Sequence, residues 1–222
     1  QADPDPALMT GSRGLAVRVV EMVDILSAGK NADPQEVKIL AVTAGSGTEA
    51  VKQSLVDALF EGAAKAPGCS LKTDVFSFAG KEFAPCLACT QYCSRDLECI
   101  YKDGMQEYRQ KWLQADAVIW LVGADEIGIE PSVIAAMDRM NQVRFETHFA
   151  VGQPHMPRYS KAMGVLAFGS HPYRIASAVR FLRQIALLYQ HVIIPQELYG
   201  GCGVDIEQAA QHKTAVLGEV AA

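Results

Sequence analysis

The chain has 222 residues, of which half are hydrophobic and a fifth are charged, and its formal net charge is −5 at pH 7. This profile is typical of a globular domain and excludes a disordered chain. The sequence has no basic block of the kind that binds nucleic acid, and its longest apolar runs are too short to cross a bilayer.

The chain has six cysteines, and whether they form disulfides depends on the redox compartment in which the protein works. Disulfide frameworks belong mainly to small secreted domains, and a domain of this size can form a sufficient core without them. We therefore expect a cytoplasmic protein whose cysteines are reduced or bound to a cofactor.

The N-terminal 36 residues are predicted to precede the main domain, which is expected over 37–222. Residues 1–13 are rich in proline, aspartate, glycine and serine and indicate an arm or a disordered start. Over 15–29, apolar residues recur at helical spacing, and Gly29 marks the end of the predicted helix. We expect this helix to pack on the domain or on a second subunit, and we hypothesise that it exchanges between subunits.

From residue 37 onward, strand patterns alternate five times with helical patterns. The strands are nearly continuous apolar runs, as expected when both faces of a sheet are covered. The sequence therefore predicts an α/β domain with a doubly wound, five-stranded parallel sheet of flavodoxin-like order 2-1-3-4-5. The strands are predicted at 37–43, 71–78, 115–123, 161–168 and 191–195, and the helices at 50–65, 105–114 (capped by Asp103), 132–142, 172–190 and 204–220.

Ligands of such sheets bind at the carboxyl ends of the strands, where the strand order reverses. The loop after the first strand has glycines and hydroxyls but no lysine or arginine. Hydroxyls and amides at a helix N-terminus suit a phosphate monoester such as that of flavin mononucleotide (FMN). An ordinary turn with a Ser/Thr helix cap is the alternative. The candidate residues of this loop are Thr43, Gly45, Ser46, Gly47 and Thr48.

Two further loops reach the same edge of the predicted sheet. The backbone after the third strand is expected to lie against a flat cofactor, and the glycine and serine after the fourth permit close approach. Tyr173 could cover a ring, although helix capping and packing are equally good explanations for His171 and Tyr173. The candidate residues are Val122, Gly123, Ala124 and Asp125 in the second loop, and Gly169, Ser170 and His171 in the third.

Four of the cysteines lie within fourteen residues with the spacing C-x2-C-x3-C-x5-C: Cys86, Cys89, Cys93 and Cys99. Thiolates alone at this density favour a [4Fe–4S] cluster. A structural zinc ion and redox-active or merely buried thiols are the alternatives. Cys202, flanked by glycines, could replace Cys93 as a ligand, whereas Cys69 is predicted to have no role.

Three motifs are similar to those of a known family: I-Y-K-D-G-M at 100–105 after the cysteines, A-D-A-V-I at 115–119, and the pair Asp138 and Arg139. With them the chain resembles the NAD(P)H-dependent FMN reductase superfamily over about 37–220, and within it the iron–sulfur flavoproteins. The resemblance implies a flavodoxin-like fold, FMN at the three loops, a [4Fe–4S] cluster on Cys86, Cys89, Cys93 and Cys99, and dimers or tetramers.

The chain departs from the family pattern at three places. The first loop reads A-G-S-G-T-E where the family has G-S-P-R, and G-A-D at 123–125 replaces Pro-x-Tyr. A carboxylate at Asp125 would disfavour an anionic reduced flavin and lower its potential, or would mark an altered site. The gap of three residues before Cys93 is one longer than the family's and is expected to form a bulge.

The function predicted from these features is a flavin-dependent electron-transfer oxidoreductase with FMN and a [4Fe–4S] cluster. Its electron donor would be NAD(P)H or a redox partner protein such as ferredoxin. One alternative is a non-catalytic binding or assembly protein on a flavodoxin scaffold with a four-cysteine metal site. The other is an NAD(P)H-dependent FMN or quinone reductase without a cluster.

Overall fold

The computed structural model describes residues 6–28, 36–65, 70–96, 98–124, 128–140, 161–188 and 192–193. Within these ranges the chain forms one parallel sheet in the order β2-β1-β3-β4-β5. The strands are β1 (Glu36–Gly45), β2 (Ser70–Ser77), β3 (Ala117–Gly123), β4 (Ala162–Phe168) and β5 (Val192–Ile193). The helices are α1 (Pro6–Ala28), α2 (Glu49–Ala63), α3 (Thr90–Asp96), α4 (Gly104–Gln114), α5 (Pro131–Arg139) and α6 (Pro172–Leu188).

Helices cover both faces of the sheet, and each face has its own hydrophobic core. Alternate residues of β1 serve the two cores: Leu40 and Val42 pack with α4, α5 and α6, whereas Ile39 and Ala41 pack with α1 and α2. Because helices cover both faces, β3 and β4 are buried at every position, and their sequences are therefore continuous apolar runs.

The predicted parallel α/β architecture is confirmed for β1 to β4, whose bounds lie within two residues of the predicted ones. The difference that bears on the candidate site is that β1 continues past Thr43 to Gly45, so that Gly45 belongs to the strand and not to the loop. The strand extends because Gly45 still pairs with Gly123 of β3. The fifth strand is described only at Val192–Ile193, and the helix predicted at 204–220 lies outside the described residues.

Helix α1 begins at Pro6, so residues 6–13 are helical, which corrects the prediction of an arm or a disordered start for that part of 1–13. Proline suits the first turn of a helix because its missing N–H is not needed there. The polar residues that follow are held by α2: the Ser12 hydroxyl donates to the Leu55 carbonyl at 2.8 Å, and Arg13 forms an ion pair with Glu61 at 2.8 Å. Composition alone could not reveal this partner helix. No described helix is long and apolar enough to cross a membrane.

Gly62 sets the closest approach between α1 and α2. A Cβ atom at this position would lie 2.4 Å from the Arg13 carbonyl oxygen, which is backbone and cannot move aside cheaply. Gly62→Ala should therefore lower the free energy of unfolding by about 1–3 kcal/mol, although alanine is the better helix former. Urea unfolding measures the change.

The matched control for this prediction is Gly14→Ala, which also lies within a helix but has nothing within 4 Å of the added Cβ. It should stabilise the protein by up to about 1 kcal/mol through helix propensity alone. Equal stabilisation by both substitutions would show that α1 does not pack on α2 as described.

Candidate functional site

The carboxyl ends of β1, β3 and β4 bring the three predicted loops together. Ser46 N–H donates to the Gly123 carbonyl at 3.2 Å, which joins the first loop to the second. Ala124 N–H donates to the Phe168 carbonyl at 2.8 Å, which joins the second loop to the end of β4. The juxtaposition expected at the switch point of the sheet is therefore present.

Gly45 and Gly123 let the backbones of the first two loops touch. Gly45 has φ of +75°, and a Cβ atom there would lie 1.9 Å from the Gly123 carbonyl oxygen. A Cβ atom at Gly123 would lie 1.9 Å from the Ser46 carbonyl oxygen. Side chains would separate the loops at both positions, so the site requires glycine at each.

The first loop leads directly into the N-terminus of α2, where Thr48 is the N-cap. Its hydroxyl accepts a hydrogen bond from Val51 N–H at 3.3 Å, so the alternative of a Ser/Thr cap holds for this residue. Thr43 is buried within β1. Sequence reasoning missed the buried ammonium of Lys52, one turn into α2, which pairs with Glu49 at 3.0 Å.

Glu130 is a second residue that sequence reasoning missed. It stands at the N-cap position of α5, but its carboxylate accepts a hydrogen bond from Gly45 N–H at 2.8 Å instead of capping its own helix. The contact ties α5 to the end of β1. No local pattern could have revealed it, because the two residues lie 85 positions apart in the sequence.

The other predicted flavin-site residues have mixed outcomes. Asp125 lies outside the described residues. Ser170 and His171 are exposed, and the His171 carbonyl accepts hydrogen bonds from the first turn of α6. His171 thus helps to begin the helix, as its alternative explanation proposed. The Tyr173 ring is 66% exposed, with its centroid 5.6 Å from that of His171, and is accessible to a ligand.

The cysteine segment, residues 84–103, contains a helix that the sequence did not predict. Helix α3 begins at Thr90, and Cys93 N–H donates to the Cys89 carbonyl at 3.3 Å. The gap of three residues is thus one helical turn and not a bulge, which puts both side chains on one face. Cys89 and Cys93 also share a side-chain hydrogen bond, so Cys93 is not turned away from its neighbour.

All four thiols of the cysteine segment are free, and the one at Cys99 is buried. Burial is the largest cause that raises the pKa of Cys93, and the charges that the Cys89 and Cys99 thiolates would carry, the hydrogen bond with Cys89 and the charge of a Cys86 thiolate raise it further. Cys86, Cys89 and Cys99 therefore lie within electrostatic reach of Cys93. Within the described ranges, however, no three His, Cys, Asp or Glu side chains form a group that could hold a metal ion.

Ala88 adds backbone strain at the centre of the C-x2-C motif. Its φ of 53° is the only positive value among the described non-glycine residues. A left-handed alanine costs roughly 1–2 kcal/mol, and such strain often accompanies a functional site. The turn that separates Cys86 from Cys89 is therefore held in this shape by the surrounding structure.

Asp103 closes the cysteine segment and begins α4 with a capping box, which confirms its predicted role as a cap. Its carboxylate accepts hydrogen bonds from Met105 N–H at 3.0 Å, from Ala84 N–H at 2.9 Å and from the buried Arg139 guanidinium. Burial acts to raise the pKa of Asp103, but the hydrogen bonds from Arg139, Ala84 and Met105 outweigh it and lower the pKa.

Asp103→Asn should lower the free energy of unfolding by about 3 kcal/mol at neutral pH, because Arg139 loses its counter-ion. Asparagine caps helices as well as aspartate does, so the cap itself is kept. Because the pKa of Asp103 is lowered in the folded state, the carboxylate stabilises fully above its unfolded pKa of about 3.9. This contribution is lost as the pH falls through the folded pKa.

Urea unfolding near neutral pH and at about pH 2–3 measures this dependence. The difference between wild type and variant should shrink at the lower pH. The exposed Asp57, which accepts a hydrogen bond from Gln53, offers Asp57→Asn as a control with little effect at either pH. A deficit of the same size at both pH values would contradict the assigned ion pair.

Comparison with known families agrees with this geometry. A family model described as NADPH-dependent FMN reductase matches residues 37–203, well over half of the chain. The match includes β1 to β4, the three loops and the whole cysteine segment. No curated protein matches the chain. The family supports FMN binding and a flavin-dependent NAD(P)H oxidoreductase activity. The resemblance to the FMN reductase superfamily is thus confirmed, whereas the narrower likeness to the iron–sulfur flavoproteins stays a prediction. The chain belongs to the NADPH-dependent FMN reductase family.

Proposed function

We propose that the chain is a flavin-dependent electron-transfer oxidoreductase that binds FMN at the carboxyl edge of β1, β3 and β4. We further propose that a [4Fe–4S] cluster is held by Cys86, Cys89, Cys93 and Cys99. The observation that carries the proposal is the contact between Gly45 and Gly123, which brings the first two loops together beside the N-terminus of α2. The complete flavodoxin-like arrangement, with a full fifth strand, is part of the proposal.

The residues at this edge fit FMN. The first N–H groups of a helix have no partner within the helix and favour an anion such as the FMN phosphate. The Ser46 hydroxyl and the backbone N–H groups at 47–50 would hold that phosphate, while Thr48 keeps the helix end in place. The remaining residues proposed to line the site are Thr43, Gly45, Gly47, Val122, Gly123, Ala124, Asp125, Gly169, Ser170 and His171.

FMN accepts two electrons from a nicotinamide and passes them on singly or in pairs. The chain's own contribution is to position the flavin and to shape its surroundings. Glu130 ties α5 to the end of β1 through Gly45 N–H and so helps to fix the start of the first loop.

The chemistry of the donor set is what supports a cluster on the cysteine segment. Four cysteine thiolates are the usual ligands of a [4Fe–4S] cluster, and Cys86, Cys89 and Cys99 all lie within electrostatic reach of Cys93. A structural zinc ion would use the same four ligands.

Anaerobic absorption spectroscopy tests the flavin part of this proposal. Protein loaded with FMN should show the flavin band near about 450 nm, and NADPH should bleach that band. Free FMN mixed with NADPH under the same conditions is the control. Protein that takes up no FMN in a fluorescence titration would overturn the proposed function.

The proposal includes partners that approach the cysteine segment. Leu87, Tyr92 and Ile100 are exposed hydrophobic residues on this segment, and exposed apolar groups that cluster mark contact surfaces. An open groove of about 490 Å³ lies beside Cys89. These features support contact with a redox partner such as ferredoxin or with a second subunit. The dimer or tetramer and the cytoplasmic location stay predictions.

A reductase without a cluster is the second candidate. The observation that favours it is that no metal-binding group is found among the described residues. Iron and acid-labile sulfide analysis of anaerobically purified protein separates the two candidates. A non-catalytic assembly protein has less support, because the chain belongs to a family of reductases.

A further inference from the structure

Arg139, the last residue of α5, is a cation whose side chain is only 2% exposed. A guanidinium stays charged at the pH of any cell. Burying such a charge costs several kcal/mol unless hydrogen bonds and an opposite charge compensate it. The partners of Arg139 therefore show what its charge stabilises.

The partners of Arg139 lie at both ends of the cysteine segment. One terminal nitrogen, Nη1, donates to the carbonyl before the cysteines and to the carboxylate after them. The other, Nη2, donates to the sulfur of the fourth cysteine and to a nearby carbonyl. The acceptors are Ala84 O at 3.2 Å, Asp103 Oδ2, Cys99 Sγ at 3.2 Å and Tyr101 O at 3.5 Å.

The bond from Arg139 to Cys99 differs from the others in its acceptor. A thiol sulfur is a weak acceptor, whereas a thiolate or a metal-bound sulfur accepts strongly from a charged donor. Cys99 is 7% exposed, so water does not compete effectively for this sulfur. The geometry thus presents a strong donor to a buried sulfur, which would accept strongly as a metal ligand.

We propose that Arg139 is a positioning residue that holds the Cys99 sulfur in place and raises the reduction potential of the cluster on the cysteine segment. The inference rests on the proposed function, since it assumes the cluster. Reduction adds one electron and changes no bond to Arg139. A positive charge and a hydrogen bond at a ligating sulfur stabilise the more negative reduced form.

The neighbouring carboxylate allows a test with opposite signs. Arg139→Gln removes the positive charge and leaves Asp103, so the reduction potential should fall. Asp103→Asn removes the negative charge and leaves the bond from Arg139 to Cys99, so the potential should rise. A merely structural role would not predict opposite shifts. Arg95→Gln is the control: it removes the same charge from the same segment, but Arg95 is 71% exposed and solvent screens it.

The experiment is a redox titration of the reconstituted protein with dithionite, followed by electron paramagnetic resonance of the reduced cluster. Circular dichroism establishes that each variant folds. We expect a lower potential in Arg139→Gln, a higher one in Asp103→Asn and little change in Arg95→Gln. If Arg139→Gln failed to fold, the reduction potential of the cluster in Asp103→Asn would be compared with that of the wild type. A potential equal to or lower than that of the wild type would overturn the inference.

Failure of this inference can be distinguished from failure of the proposed function. A wild-type chain that binds no iron would overturn the cluster, and the role of Arg139 with it. A wild-type cluster whose potential is unchanged in Arg139→Gln would overturn the role of Arg139 alone. Equal shifts in the Arg139 and Arg95 variants would also overturn it, since they would reflect net charge.

Discussion

Gly45→Ala is expected to weaken FMN binding by roughly tenfold to a hundredfold, the loss of one charge-assisted hydrogen bond worth about 1.5–3 kcal/mol. The added Cβ would lie 1.9 Å from the Gly123 carbonyl oxygen, so the first and second loops must separate. Such a separation would move the Ser46 hydroxyl and the N–H groups at 47–50 away from the phosphate. Together, the strained φ and the overlap should lower the free energy of unfolding by about 3 kcal/mol or more.

Gly80→Ala is the matched control for this substitution. Gly80 has φ of +68°, close to the +75° of Gly45, but nothing lies within 4 Å of its added Cβ. It should therefore show only the cost of left-handed alanine, about 1–2 kcal/mol, with FMN affinity unchanged. Fluorescence titration with FMN and urea unfolding measure both effects. Wild-type FMN affinity in Gly45→Ala would contradict the assigned flavin site.

Cys99→Ser is expected to remove most of the iron from the reconstituted protein while the fold is kept. A serine hydroxyl is a far poorer ligand for iron than a thiolate, because it rarely ionises near neutral pH. Serine has nearly the volume of cysteine, and its oxygen can still accept from Arg139. Iron and sulfide content per chain, with circular dichroism as the check of folding, measures the result.

Two other cysteines serve as controls for the assignment of Cys99. Cys69 is predicted to have no role, so Cys69→Ser should keep its iron. Cys202→Ser should also keep its iron, because Cys93 stands on one helical face with Cys89 and needs no substitute. Iron retained in Cys99→Ser, or lost in Cys202→Ser, would contradict the proposed ligand set.

Features carried by local patterns were predictable from the sequence. The apolar runs located β1 to β4 because both of their faces are buried. Asp103 was recognisable as a cap because a capping box involves neighbouring residues. The meeting of the loops at Gly45 and Gly123 followed from the order of parallel strands, which puts their carboxyl ends at one edge.

Features that depend on contacts between distant parts of the chain were not predictable. The first turns of α1 are held by a hydrogen bond to α2, Glu130 accepts a hydrogen bond from Gly45, and Arg139 donates to Cys99 of the cysteine segment. Helix α3 was missed for another reason: its seven residues are too few to show a period. Such short or long-range features emerge only once the chain is folded.

The most direct test of the proposed function is the flavin and iron content of one sample purified without oxygen. We expect about one FMN and about four iron atoms with matching acid-labile sulfide per chain. Protein with flavin but no iron would contradict the proposed cluster and support the second candidate, a reductase without a cluster. Protein that contains neither flavin nor iron, and takes up neither on reconstitution, would contradict the account as a whole.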